Sequence, residues 1–127
     1  MEMEIIKTSK VYEAIGPYSM GIVHGDLIFT AGLGGLKPDT GKVPSNDVEE
    51  QTVQCLENVK AVLEAAGAGF KDVIKVVVYL INMKDFAKVN AIYAKYVGAH
   101  LPVRSCVGVK ELPADELVKM EVIARKP

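Results

Sequence analysis

The sequence predicts an α+β fold, a mixed sheet of six strands with two helices packed on one of its faces. Three observations predict it. Residues 46–66 and 84–97 carry apolar side chains at helical spacing. Val73–Ile81 is a nearly unbroken apolar run rich in β-branched residues. Gly25-Asp26 stands between two short apolar runs as a two-residue hairpin turn. The resulting order is β-β-β-α-β-α-β-β.

Met3–Thr8 is the first expected strand, and Gly21–His24 and Leu27–Ala31 form the hairpin. Gly32–Pro44 is a loop whose Lys37-Pro38-Asp39-Thr40-Gly41 stretch is turn chemistry. The first helix runs from Asn46 to Ala66, with Asn46 as cap and Glu49 completing a capping-box pattern. Its buried stripe is Thr52, Cys55, Leu56, Val59, Val62, Leu63 and Ala66, and Gly67 and Gly69 stop it. Val73–Ile81 is expected to be central and buried on both faces. The second helix, Lys84 to Val97, buries Phe86, Val89, Tyr93 and Val97, with Asn90 inside that stripe, and Pro102 marks the exit. Val103–Val109 and Leu117–Ala124 close the sheet, joined through a loop containing Leu112-Pro113.

Side-chain alternation divides the last two strands. Val103, Ser105, Val107 and Val109 share one side; Arg104, Cys106 and Gly108 share the other. In the final strand Val118, Met120, Val122 and Ala124 oppose Leu117, Lys119, Glu121 and Ile123. The apolar sides are expected to meet the helices. The mixed sides, continued by the apolar residues of Val73–Ile81, suit a subunit interface with polar pockets in it.

The chain has 127 residues, so residues 1–127 read as a single domain. A chain this long buries roughly two-thirds of its unfolded surface and needs no metal or disulfide to hold a core. With a net charge of −1 it lacks the basic excess that phosphate contacts demand, which disfavours a nucleic-acid partner. No apolar run approaches the roughly 20 residues of a membrane span, so no membrane partner is expected. The opening MEMEIIKTSK lacks the apolar core of a signal peptide, and the expected location is the cytoplasm. Cys55 and Cys106 read as thiols of a reducing compartment rather than as a disulfide. His24 and His100 stand apart from them and from each other, so no metal site is expected.

The residue that stands out chemically is Arg104. Its guanidinium offers a planar donor fork for a carboxylate, at the start of a strand and on the face of Cys106. The spacing by itself fits an interface salt bridge better, for instance with Glu121. Gly32-Leu33-Gly34-Gly35 follows a strand, but no helix and no Lys-Ser/Thr come after it, so it reads as a turn rather than a phosphate cradle. No nucleophile–His–Asp signature is present. Asn90 reads either as a satisfied buried amide or as a ligand.

Several segments, in this order and spacing, resemble the RidA (YjgF) family of reactive-intermediate deaminases almost end to end. They are Ala14-Ile15-Gly16-Pro17-Tyr18-Ser19, Ile28-Phe29-Thr30-Ala31-Gly32, Thr40-Gly41-Lys42-Val43-Pro44, Gln51-Thr52 and Leu56-Glu57-Asn58-Val59-Lys60-Ala61. Asp85-Phe86-Ala87-Lys88-Val89-Asn90, Pro102-Val103-Arg104-Ser105-Cys106-Val107 and Leu112-Pro113 complete the set. The resemblance implies a chorismate-mutase-like fold and a homotrimer with sheets facing inward and pockets between subunits. It implies hydrolysis of 2-imino acids or their enamine tautomers, such as 2-iminobutanoate and 2-iminopropanoate, to a 2-oxo acid and ammonia, without a cofactor. By the same resemblance Arg104 binds the substrate carboxylate and Tyr18 donates a proton or partners the water. Cys106 and Gly32 contribute backbone N–H groups, and Asn90 lies in the pocket.

Two departures follow. The family's Thr-Ser-Gly turn reads Thr30-Ala31-Gly32 here, without one hydroxyl. The closing Glu-Ile-Glu reads Lys119-Met120-Glu121, so the acid associated with the attacking water is a lysine. Lysine is protonated at pH 7 unless its surroundings depress its pKa. Lys119 therefore either adds a cation to the carboxylate site, favouring binding over turnover, or pairs with Glu121 of a neighbouring strand or subunit. Three functions follow from these alternatives: a deaminase, a binder of small 2-oxo or amino acids that turns nothing over, and an RNA-directed ribonuclease or translation inhibitor.

Overall fold

The computed structural model describes residues 2–127. The strands are β1 (Met3–Ile5), β2 (Gly21–His24), β3 (Leu27–Thr30), β4 (Leu33–Gly34), β5 (Val73–Leu80), β6 (Val103–Gly108) and β7 (Val118–Arg125). The helices are α1 (Val48–Ala65) and α2 (Phe86–Val97). They build one sheet in the order β1-β2-β3-β7-β5-β6, with β4 pairing β7 beyond the end of β3. Every pairing is antiparallel except β5–β6. A parallel neighbour needs a crossover, and α2 is that crossover.

The fold class matches the sequence reading, and several details differ. The sheet has seven strands rather than six, because Leu33–Gly34 forms a two-residue strand on β7 inside the predicted loop. Its glycines fit a close approach rather than a phosphate cradle. A Cβ at Gly34 would lie 1.6 Å from Glu116 Oε1, and one at Gly35 would lie 2.3 Å from the Gln51 carbonyl oxygen. The hairpin forms as predicted, with Gly25 at φ 60° and His24 opposite Leu27.

Helix α1 is capped by Asp47, not Asn46; the Asp47 carboxylate accepts the Glu50 N–H at 3.0 Å. An aspartate at this position satisfies an orphan amide and places negative charge at the positive end of the helix. Leu56, Val59, Val62 and Leu63 of α1 pack in one core with Val76, Val78 and Leu80 of β5 and Met120 and Val122 of β7. Truncating Leu56 to alanine in such a core costs about 2–5 kcal/mol. Two buried amides tie α1 to the strands that carry the site. Asn58 donates to the Gly34 and Leu36 carbonyls at 2.8 and 2.9 Å, and Gln51 accepts the Leu117 N–H at 2.7 Å.

β5 is paired on both edges but lies next to the edge strand β6 rather than at the centre of the sheet, and only Val73, Val76, Val78 and Leu80 are buried; Ile74 is exposed and Val77 and Tyr79 half-buried. The helices cover one face, so an interior strand keeps its second face open in a single chain. The face assignment of β7 holds: Val118, Met120, Val122 and Ala124 are all buried. That of β6 is reversed. The register pairs Arg104 with Val76 and Cys106 with Val78, placing Arg104 and Cys106 on the helix side. Val103 and Val107 face away and are exposed. β6 is an edge strand beside the crossover, where α2 supplies aromatic and amide partners that a guanidinium can use. On the open face Leu27, Phe29, Val103 and Val107 are exposed, beside half-buried Val77 and Ile123.

Candidate functional site

On the helix side the site starts from α2. Phe86, Asn90 and Tyr93 lie at i, i+4 and i+7, on one stripe of the helix. Arg104 of β6 reaches across to that stripe. Its Nη1 donates to Asn90 Oδ1 at 2.8 Å. Its guanidinium carbon lies 4.8 Å from the centre of the Tyr93 ring and 5.5 Å from that of Phe86. The rings attract the cation through their negative faces and flank a planar group without consuming its donors. No carboxylate lies within ion-pair distance of Arg104 among the described residues. Glu121, the expected salt-bridge partner, lies on the opposite sheet face and accepts a hydrogen bond from Tyr79 instead.

The contrast with Arg125 is direct, since its Nε donates to the buried Asp72 at 3.2 Å. Arg104 is held in place and keeps its remaining N–H groups for another acceptor. Burial pushes the Tyr93 phenol up, opposed by Arg104. Cys106, half-buried on the same face, is a free thiol; burial pushes its pKa up and Arg104 only partly opposes this. A thiol of that kind is a poor nucleophile. Cys55 is also free and is wholly buried, its thiol pushed up to about 12, chiefly by burial.

On the open face a cleft of about 460 Å³ is lined by Tyr18, Gly32, Tyr79, Lys119 and Glu121, with Leu112 and Pro113 among its apolar walls. Lys119 lies along Gly32, where an added Cβ would come within 2.9 Å of its Cδ. Its Nζ sits 3.5 Å from Glu116 Oε2, so Lys119 pairs with Glu116 and not with Glu121. Glu116 is buried behind the cleft, and Oε2 has no hydrogen-bond partner among the described residues. Burial pushes the Glu116 carboxyl above the usual range, and the Lys119 ammonium only partly opposes this. Tyr79 donates its hydroxyl to Glu121, and that bond, with burial and the carboxylate charge, pushes its phenol up. The Tyr18 hydroxyl accepts the Ile15 N–H at 3.3 Å, and its ring is exposed.

The residues singled out in the sequence therefore form two groups. Arg104, Asn90 and Cys106 share the helix side. Tyr18, Gly32 and Lys119 share the open cleft. Phe86 and Tyr93 were legible as helix-stripe residues but not as partners of Arg104; aromatics flanking Asn90 at helical spacing were the available signal. Tyr79 beside Lys119 and Glu121 had no local signal, because the β5–β7 register joins distant segments; Glu116 is three residues before Lys119, but nothing in the local pattern marked it as buried. Among the described residues no group of three or more His, Cys, Asp or Glu side chains could hold a metal ion. Among the described residues no helix is long and apolar enough to cross a membrane.

Comparison with known proteins gives a consistent result. Residues 8–126 match the family model described as Endoribonuclease L-PSP. A RutC family protein of Pyrococcus abyssi is 48% identical over 126 residues, 99% of each chain. Reactive Intermediate Deaminase A, chloroplastic, of Arabidopsis thaliana is 42% identical over 124 residues, covering 98% of this chain and 66% of that protein. Among solved structures, Escherichia coli TdcF with bound serine superposes with a TM-score of 0.92 at 40% identity, over 98% of this chain and 99% of that one. The E. coli YjgF gene product superposes with a TM-score of 0.91, also at 40% identity and the same coverage.

Proposed function

The chain belongs to the RidA/YjgF family, the one described as Endoribonuclease L-PSP, and on that footing we propose that it is a hydrolytic deaminase of reactive 2-imino acids. The substrates are 2-iminobutanoate, 2-iminopropanoate and their enamine tautomers, and the products a 2-oxo acid and ammonia. The observation that carries this reading is the Arg104 guanidinium, fixed by Asn90 and two rings and bound to no acid. Such a group suits the carboxylate next to the imine carbon. Relatives named reactive intermediate deaminase, and a relative holding serine, support the same chemical class.

A 2-imino acid already reacts with water. The protein has to hold it, aim the water and move protons. Arg104 takes the carboxylate, the backbone at Cys106 and Gly32 receives substrate oxygens, Tyr18 serves as a proton donor or water partner, and Asn90 orients Arg104. The Arg104 group and the Tyr18–Gly32–Lys119 group lie on opposite faces of one chain's sheet. A homotrimer with pockets between subunits, the assembly we propose, brings the Arg104 edge of one protomer to the open cleft of the next. The exposed apolar residues of that face fit such an assembly. The proposed location is the cytoplasm.

One observation favours a second reading. Lys119 stands where active relatives are expected to carry an acid, which suits a pocket that binds 2-oxo or amino acids without turnover. The net charge of −1 gives no support to an RNA substrate. The test is a coupled assay in which threonine dehydratase generates the imine and semicarbazide traps it. Added protein is expected to lower semicarbazone formation and speed 2-oxobutyrate release. An unchanged rate, with 2-oxobutyrate still binding by calorimetry, selects the second reading.

A further inference from the structure

We propose that Glu121 is the catalytic base of this chain, held by Tyr79, and that it takes over the water-activating work that Lys119 cannot do. The inference rests on the deaminase reading and names a residue that this reading leaves unassigned. Lys119 and Glu121 are two residues apart on β7 and point to the same face, so both reach the open cleft. Lys119 is committed to Glu116 behind the cleft wall. Glu116 itself is buried and does not line the cleft. Glu121 is the one carboxylate among the residues that do. It is half-buried, and Tyr79, across from Lys119 on β5, fixes it by donating its hydroxyl. That bond engages Oε1 and leaves Oε2 for a water. The geometry is that of a general base oriented by a third group.

The step balances as follows. Glu121 accepts one proton from water as the water oxygen bonds to the imine carbon and the C=N π pair moves to nitrogen. The proton passes from Glu121 to that nitrogen, giving a carbinolamine. Its hydroxyl proton then returns through Glu121 to the amino group. The C–N bond breaks, ammonia leaves and the carbonyl of the 2-oxo acid forms. No oxidant, reductant or cofactor enters.

The test compares the whole protein with Glu121→Gln and Tyr79→Phe in the threonine dehydratase assay at pH 7.5. Glu121→Gln is expected to lower kcat about a hundredfold, within the range of general-base catalysis, with KM little changed. Tyr79→Phe should lower kcat several-fold at unchanged KM. An active wild type with Glu121→Gln at more than half its rate overturns this inference alone. Wild type that leaves the imine untouched overturns it together with the deaminase reading. If Glu121→Gln does not fold, Tyr79→Phe decides, and an unchanged kcat there overturns the proposal.

Discussion

The two faces of the sheet handle charge in opposite ways. On the helix side one cation, Arg104, is gripped by an amide and two aromatic rings and has no counter-charge. On the open side each charged group of the cleft is already engaged: Lys119 with Glu116, and Glu121 with Tyr79. A positioned but unneutralised cation is a recognition element waiting for an anion. A set of mutually engaged charges suits proton movement, because its members are oriented but not all saturated. On the proposed reading, the difference divides the work between binding by Arg104 and chemistry in the cleft.

The strongest way to break that division is Arg104→Ala. It should lower kcat/KM by roughly 30-fold to several thousand-fold, the equivalent of about 2–5 kcal/mol for a truncated charge partner. The thermal melt and oligomer should be unchanged, because no acid depends on Arg104 for neutralisation. Arg104→Lys should fail almost as badly in the same assay, since a point charge does not replace the fork.

Lys119→Met probes the other face through stability. Burial holds the Glu116 carboxyl above its ordinary 4.5. An acid whose folded pKa is raised stabilises the fold below its unfolded value, and that stability is lost as pH rises through the folded value. Lys119 limits this loss by favouring the charged form. Its removal should therefore cost about 1–3 kcal/mol at pH 7.5. The cost should shrink toward zero near pH 4, where the carboxyl is protonated with or without the lysine. Urea titrations at the two pH values check this, and an equal loss at both would contradict it.

Smaller changes sharpen the comparison. Asn90→Ala removes the one hydrogen bond that orients Arg104 and should raise KM roughly tenfold, about 1.4 kcal/mol. Tyr93→Leu keeps that bond but removes one ring from the cation, and should raise KM roughly two- to fivefold, in line with about 0.5–1 kcal/mol for such a contact. Steady-state kinetics with the coupled assay separate the two, and kcat should move little in either.

Local patterns carried most of the fold. The Gly25-Asp26 turn, the two helical stripes and the β-branched run of β5 were each readable from neighbours in sequence. Pairing was not. Alternation told which β6 residues share a side, but not which side meets α2. The more apolar set of Val103 and Val107 was the natural choice for the core, and the register with β5 puts Arg104 and Cys106 there instead. Leu33–Gly34 was hidden because a two-residue strand has no period to detect. Arg104 and Asn90 were nameable from the residues themselves, and Tyr18, Gly32 and Lys119 only through the family resemblance; the separation of the two groups needed the sheet, and the pairing of Lys119 with Glu116 needed the folded chain.

The most direct measurement is a crystal structure of the protein with 2-oxobutyrate bound. The account predicts the carboxylate of the ligand on the free donors of Arg104, with the Asn90 hydrogen bond intact and the ligand's 2-oxo carbon turned toward the cleft that holds Glu121. A carboxylate bound to Lys119 in the open cleft, with Arg104 untouched, would contradict it.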